Sequence, residues 1–306
     1  MANLKDKLDV SIIVCCYNSK WVSLLFTLES IICQENISYE IIIADDGSKD
    51  NLKLEIENYF NSKKFANWLM VCSERNQGTV KNIYSALKVA NGKYVKTISP
   101  GDAIIDKYTL RNWIDYNNSN GYRWSFSDAI YYVDDIKERK YVSANSHPNN
   151  ITPYIKHDSE KCRWNYLVLD DIALGAAFLC ECSLELEYEE IIKDHVIYAE
   201  DNIWRIMMFD GIVGGYYPKD AILYEYGTGI STSGSDWWSD KLEQDWNASN
   251  EIMRRHCNSD DIFQKRVVKA WNLKKRGKLY ELLVPGKIKG YIYRKFWGRK
   301  TSKYYG

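Results

Sequence analysis

The chain has 306 residues, 45% of them hydrophobic, and its 41 basic and 41 acidic side chains cancel to no net charge. That length buries a substantial core, in one large domain or two modest ones. No apolar run reaches the roughly 18 residues of a spanning helix, and the start leads into a strand pattern with no secretory signal. The eight scattered cysteines match neither a zinc site nor a disulfide framework, so the expected setting is a reducing cytoplasm.

Residues 9–16 are a near-continuous apolar, β-branched run, as a parallel strand covered on both faces requires. Tyr17-Asn18-Ser19 ends it, and Trp21, Leu24, Leu25, Leu28, Ile31 and Ile32 then recur at helical spacing. Residues 39–45 are a second buried strand that runs into Asp45-Asp46-Gly47-Ser48, with a helix following through Leu52, Leu54, Ile56, Tyr59 and Phe60. Residues 68–72 are a third strand. Glu74-Arg75-Asn76-Gln77-Gly78 leads from it into a helix carrying Val80, Ile83, Tyr84, Leu87 and Val89, stopped by Asn91-Gly92. Residues 93–98 are the fourth strand, and Ser99-Pro100-Gly101-Asp102 ends it with turn chemistry. This alternation predicts an α/β fold, a Rossmann-like, doubly wound, mostly parallel sheet.

In such a sheet the four strand ends lie on one edge, where ligands bind. Neither a glycine-rich dinucleotide fingerprint nor a phosphate loop is present. Asp102 with a divalent cation is then the available device for neutralising a nucleotide's phosphates.

Further on, residues 123–128 read as a strand, which residues 130–135 extend or pair with as a hairpin. Residues 143–165 are polar and read as a mobile loop beside the site. Asp170-Asp171 precedes a stretch in which the small Gly175 and Ala176 allow either close approach of a ligand or tight strand packing. Residues 198–209 form a helical face with Glu200-Asp201 at its N-terminus. Acids there oppose the helix dipole. Residues 212–217 and 221–226 read as two strands closing the sheet. Tyr226, Thr228 and Ser231 then offer hydrogen-bond donors in a loop.

Residues 237–257 and 260–275 read as helices. Residues 262–306 hold fourteen Lys or Arg and one acid, Glu281. Near the carboxyl end Ile288, Tyr291, Ile292, Phe296 and Trp297 interleave with that basic set. This pattern suits an amphipathic segment on an anionic membrane, with nucleic acid as the rival partner.

Ser11-Ile-Ile-Val-Cys-Cys-Tyr-Asn18, Asp45-Asp46-Gly47-Ser48, Asn76-Gln-Gly78 with Asn82, the turn at Asp102 and the Glu200-Asp201 pair come in the order of the motifs of family-2 glycosyltransferases. The chain resembles that family over roughly residues 9–235. The resemblance implies a GT-A fold, with residues 1–110 as the nucleotide-sugar half, 111–235 as the acceptor and catalytic half, and 236–306 as C-terminal helices with a basic tail. It implies nucleotide contacts at Cys15, Tyr17, Asp46, Arg75 and Asn82, with Asp45 supporting the loop. It implies Mg2+ or Mn2+ at Asp102, the last acid of the family's Asp-x-Asp, although the earlier acid position holds Pro100. Donor or acceptor contacts are implied at Gly175, Ala176, Tyr226, Thr228 and Ser231.

In that family the Asp of the Glu-Asp pair is the general base. Asp201 takes that role here, and Glu200 orients the loop or meets sugar hydroxyls. The helix terminus and hydrogen bonds are expected to keep Asp201 ionised. The implied activity is inverting transfer of a hexose or N-acetylhexosamine, from a UDP-sugar foremost, to a hydroxyl of a surface glycan (capsule or O-antigen) or a lipid-linked glycan. Peripheral contact with the inner face of the cytoplasmic membrane is expected through residues 274–300, and no nucleic-acid partner. Two rivals stand beside it. A nucleotidyltransferase would need a glycine- and arginine-rich phosphate loop after the first strand. An inactive nucleotide-sugar-binding or scaffold protein draws its argument from Pro100.

Overall fold

The computed structural model describes residues 8–135, 138–227 and 236–301, without the side chains of residues 134, 135, 138 and 139. Its first half is β1 (Leu8–Cys16), α1 (Trp21–Ile32), β2 (Tyr39–Asp45), α2 (Lys53–Lys63), β3 (Trp68–Cys72), α3 (Thr79–Leu87), β4 (Gly92–Ile98), β5 (Ala103–Ile104) and α4 (Thr109–Asn120). Then follow β6 (Trp124–Asp135), β7 (Glu138–Val142), α5 (Thr152–Ile155), α6 (Ser159–Val168), β8 (Phe178–Glu181), α7 (Cys182–Ile192), α8 (Asn202–Phe209) and β9 (Gly215–Glu225). The last elements are α9 (Asp236–Arg255), α10 (Ile262–Lys275), α11 (Lys278–Glu281) and α12 (Lys287–Trp297).

The strands form one sheet in the order β3-β2-β1-β4-β8-β6-β9-β5, with β7 paired to β6. β3, β2, β1 and β4 are all parallel. Alternation across the pleat explains why β1 and β2, in the middle of this run, are almost wholly apolar. Val10, Ile12 and Val14 pack with Leu24, Leu28 and Phe60 of α1 and α2. Ile13 packs on the opposite face with Val80 and Ile83 of α3. Beyond β4 the directions mix: β8 is antiparallel to both neighbours, and β9 is parallel to β6.

Residues 130–135 extend the strand begun at Trp124, the first of the two readings, and the hairpin partner is β7. The second half departs from the sequence expectations in two places. Residues 212–226 hold a single strand, β9, whose pairing with β6 is interrupted by a register shift at Asp128. The expected loop at 143–165 contains α5 and most of α6. Pro153 opens the first of these, and Asp158 Oδ1 accepts the Lys161 amide at 3.0 Å to cap the second.

Among the described residues no helix is long and apolar enough to cross a membrane. The carboxyl-terminal segment is tied down by polar contacts: Arg299 Nη1 meets Asp128 at 2.9 Å, Arg294 Nη1 donates to the Leu169 carbonyl at 3.0 Å, and Trp164 Nε1 donates to the Pro285 carbonyl at 2.9 Å. Leu279, Leu283, Tyr291, Phe296 and Trp297 nevertheless remain exposed.

Candidate active site

The ends of β1, β2 and β4 lie side by side on one edge of the sheet, as parallel strands require. Tyr17 stands exposed just beyond β1. Asp45, at the end of β2, accepts the Ser48 amide at 3.1 Å and closes its own turn. Gly47 has φ +73°, and a Cβ there would lie 2.4 Å from the backbone carbon of Arg75, so the two loops touch through this glycine. Asp46 is buried, and its two oxygens accept the amides of Gln77 and Gly78, each at 2.8 Å. Burial raises its carboxyl, and those two amides oppose the rise. Arg75 is exposed on this rim. Asn82 is 3% exposed and donates to the Ala44 carbonyl at 2.9 Å, so it ties α3 to β2 from inside the fold.

The loop before α8 is joined to the same rim. Val80 N donates to the Ile197 carbonyl at 3.1 Å, and Gly78 leaves no room for a side chain against Ile197. From the other side Asp245, on α9, accepts three successive amides: Ile197 at 3.0 Å, Tyr198 at 2.7 Å and Ala199 at 3.0 Å. Glu200 and Asp201 come next. The Asp201 side chain makes no capping bond to α8, so the carboxylate is not spent on the helix end. A Cβ on Gly175 would stand 3.4 Å from Asp201 Oδ2, which brings the turn at Gly175–Ala177 against it.

Burial raises the Asp201 carboxyl and the Arg205 charge opposes it. The expectation that helix and hydrogen-bond contacts set its ionisation is therefore corrected: desolvation outweighs them. Burial and the Asp201 charge push Glu200 up to about 8. The pair thus holds a proton on Glu200 more readily than an isolated carboxyl would, and an ionised Asp201 is a stronger base than a solvated one. Glu200 also raises the Cys15 thiol, second only to burial, so the end of β1 and the loop before α8 lie within electrostatic reach of each other.

Asp102 sits at the turn after β4. Its Oδ1 accepts the Glu225 amide at 2.9 Å, and its backbone carbonyl accepts the Thr27 hydroxyl at 2.7 Å. Burial pushes its carboxyl up to about 7 against the Glu225 amide and Lys96, with the Glu225 charge adding to the rise. Among the described residues no group of three or more candidate ligand side chains occurs. Asp102 with the neighbouring Glu225 side chain offers hard oxygen donors of the kind Mg2+ and Mn2+ accept beside phosphate oxygens, so the residues present fit a cation shared with a bound diphosphate.

Several residues here escaped the sequence reading. Lys96 is 1% exposed and donates to the carbonyls of Thr97 at 2.6 Å and Ala176 at 2.7 Å, pinning the turn that faces Asp201. A lysine inside an apolar strand was the signal for it. Arg205 is buried against Trp246, with its guanidinium 3.4 Å from the ring centroid, and donates to Ser249 at 3.0 Å and Asn250 at 2.9 Å. Glu185 and Glu189 of α7 lie behind Glu200. Asp170 and Asp171 are structural: Lys274 pairs with the first, and the amides of Asn149 and Asn150 with the second. Tyr226 is exposed and stacks on Tyr131, while Thr228 and Ser231 lie outside the described residues.

Comparison with known proteins gives the same architecture. The model of glycosyl transferase family 2 matches residues 11–183. A search of curated proteins finds no match. The S. aureus TarS 1-349 structure in complex with UDP is 17% identical, with a TM-score of 0.55, over 85% of this chain and 70% of that one. The longer S. aureus TarS structure is also 17% identical, at a TM-score of 0.53, and the match covers 85% of this chain and 42% of that one. The mannosyltransferase PcManGT from Pyrobaculum calidifontis, in complex with GDP-Man and Mn2+, is 10% identical, at a TM-score of 0.51, over 95% of this chain and 88% of that one. At these identities the likeness is one of fold.

Proposed function

The chain belongs to glycosyl transferase family 2, and on that premise we propose that it is an inverting, metal-dependent enzyme that moves a sugar from a nucleotide-diphosphate donor, UDP-linked foremost, to a hydroxyl of a glycan or lipid-linked glycan. One observation carries the reading. The uncapped Asp201 carboxylate, held against Gly175, follows a segment whose Ile197 carbonyl accepts the Val80 amide and packs on Gly78, at the rim formed by Asp46 and residues 77–78. This supports reading Asp201 as a base held near a donor-binding edge.

In this mechanism the acceptor oxygen attacks the anomeric carbon from the Asp201 side. The bond from that carbon to the diphosphate oxygen breaks, and the acceptor proton passes to Asp201 Oδ. Burial raises both carboxyls of the Glu200–Asp201 pair, and Asp201 serves as the base in its ionised form. Tyr17, Cys15 and Arg75 receive the nucleotide, and Asp46 and Asn82 hold the rim in shape. Asp102 would hold the divalent cation, which supplies positive charge at the leaving diphosphate when bound. The exposed apolar residues of 274–300, interleaved with Lys and Arg, would rest on an anionic membrane and bring lipid-linked acceptors to the crevice.

The test is a panel of nucleotide sugars, with and without Mn2+, scored by thermal shift and by release of nucleoside diphosphate. One donor should raise stability by mass action and release its diphosphate. Asp201→Asn should keep donor binding and lose roughly 10²–10⁴-fold in kcat, the usual worth of a general base. No shift with any nucleotide, or normal transfer by a folded Asp201→Asn, would refute the proposal.

A further inference from the structure

The chain lacks an acid at position 100, yet the fold brings a second carboxyl to the same turn. β5 begins right after Asp102 and runs antiparallel to β9, with Ala103 opposite Leu223 and Ile104 opposite Ile222. Continuing that register sets Glu225, the last residue of β9, opposite Gly101. The Glu225 amide donates to Asp102 Oδ1 at 2.9 Å. A Cβ on Gly101 would lie 2.1 Å from Glu225 Oε2 and 3.2 Å from its carboxyl carbon. The room that a side chain at 101 would occupy is therefore filled by the carboxyl of Glu225. Gly101 adopts φ +106°, which glycine reaches without strain. The turn is locked from behind: the Tyr132 hydroxyl donates to the Gly101 carbonyl, and the Tyr226 amide donates to the Tyr132 carbonyl at 2.7 Å.

Both carboxyls stand at one turn, with the buried Lys96 ammonium acting on the Asp102 side. Small hard cations such as Mg2+ and Mn2+ use one or two protein carboxylates and complete their shell with phosphate oxygens and water. Resting on the nucleotide-sugar reading above, we infer that Glu225 is the second protein ligand, with Asp102, of the divalent cation that grips the donor diphosphate. The acid absent from the chain at position 100 is supplied in space by a strand that arrives more than a hundred residues later (|i−j| 123 for Glu225 and Asp102).

The experiment titrates Mn2+ into the full chain with saturating UDP and follows the free-ion signal by electron paramagnetic resonance. UDP binding without metal is measured in parallel by calorimetry. Glu225→Gln keeps the size of the side chain and the amide contact to Asp102. It is expected to weaken Mn2+ binding roughly tenfold or more, as lost metal-site contacts do, while metal-free UDP affinity stays unchanged. Gly101→Ala, which evicts the Glu225 carboxyl and alters neither acid, should weaken Mn2+ by an independent route and carries the test if Glu225→Gln does not fold. Wild-type Mn2+ affinity in either folded variant would overturn the inference. Wild-type protein that binds UDP and takes up no Mn2+ would overturn it too, leaving the transferase reading intact in metal-free form. Wild-type protein that binds UDP neither with nor without Mn2+ would overturn both.

Discussion

Asp245→Asn is the sharpest probe of how the loop before Glu200 and Asp201 is held. Asp245 is 4% exposed, and its two oxygens accept the amides of residues 197, 198 and 199. A hydrogen bond to a charged acceptor contributes about 1.5–3 kcal/mol, and a buried donor left unpaired costs about 1–3 kcal/mol. Asparagine keeps one acceptor oxygen but turns an NH2 group toward at least one amide N–H, so the net loss is about 3 kcal/mol. With unfolding entropy of about 2.1 cal/mol/K per residue, the 306 residues turn that loss into a fall in Tm of about 5 °C. The same substitution frees the segment leading into Glu200 and Asp201. Misplacing a reacting group by about 1 Å costs up to 10²-fold, so kcat should drop roughly tenfold to a hundredfold. Thermal melts and steady-state transfer measure both, with Asp240→Asn as the control, since Asp240 is an exposed carboxylate on the same helix. If Asp245→Asn matches Asp240→Asn in Tm and in kcat, the three amide bonds do not position the loop.

Two further outcomes follow from charge placement. Glu189 is fully buried, and among the described residues neither of its oxygens has a hydrogen-bond partner; burial, with Glu185, Glu200 and Asp201 adding, holds its carboxyl well above the ordinary value of 4.5. The folded protein then keeps a proton that the unfolded chain has lost, so the stability it contributes is full below about 4.5 and declines as pH rises toward the raised value. Glu189→Gln should therefore flatten the decline of Tm as pH rises above about 4.5, and identical slopes in the two proteins would show that Glu189 does not contribute it. Separately, the full chain should sediment with phosphatidylserine-containing vesicles at low salt and be released at high salt, as a basic surface on an anionic membrane must be. Paired Phe296→Ser and Trp297→Ser changes should weaken that binding, and equal binding to neutral vesicles would refute the electrostatic part.

How much of this was legible in the chain depends on whether a residue's partners are local. β1 and β2 were readable to within a residue or two because a strand buried on both faces is nearly continuous in apolar residues, and Val10, Ile12, Ile13 and Val14 obey that regardless of what covers them. α6 was not, since Ser159-Glu-Lys-Cys-Arg-Trp presents little periodicity and its start rests on one capping aspartate. The site divides the same way. Asp45, Asp46, Asp102 and Asp201 stand at element ends, where turn and cap chemistry draws attention to them. Lys96 is flagged only by its apolar strand, while Asp245 and Glu225 each act on a segment distant in sequence, and nothing beside them in the chain says so. Asp245 looks like one more polar residue on an amphipathic helix, and only its three amide bonds across the fold reveal what it holds. Glu225 is the stronger case: glycine at 101 reads as ordinary turn chemistry, and becomes informative once the carboxyl of a late strand is found in the space its missing side chain leaves. A gap in a sequence motif is therefore weak evidence against a site until the strand paired to that turn has been inspected.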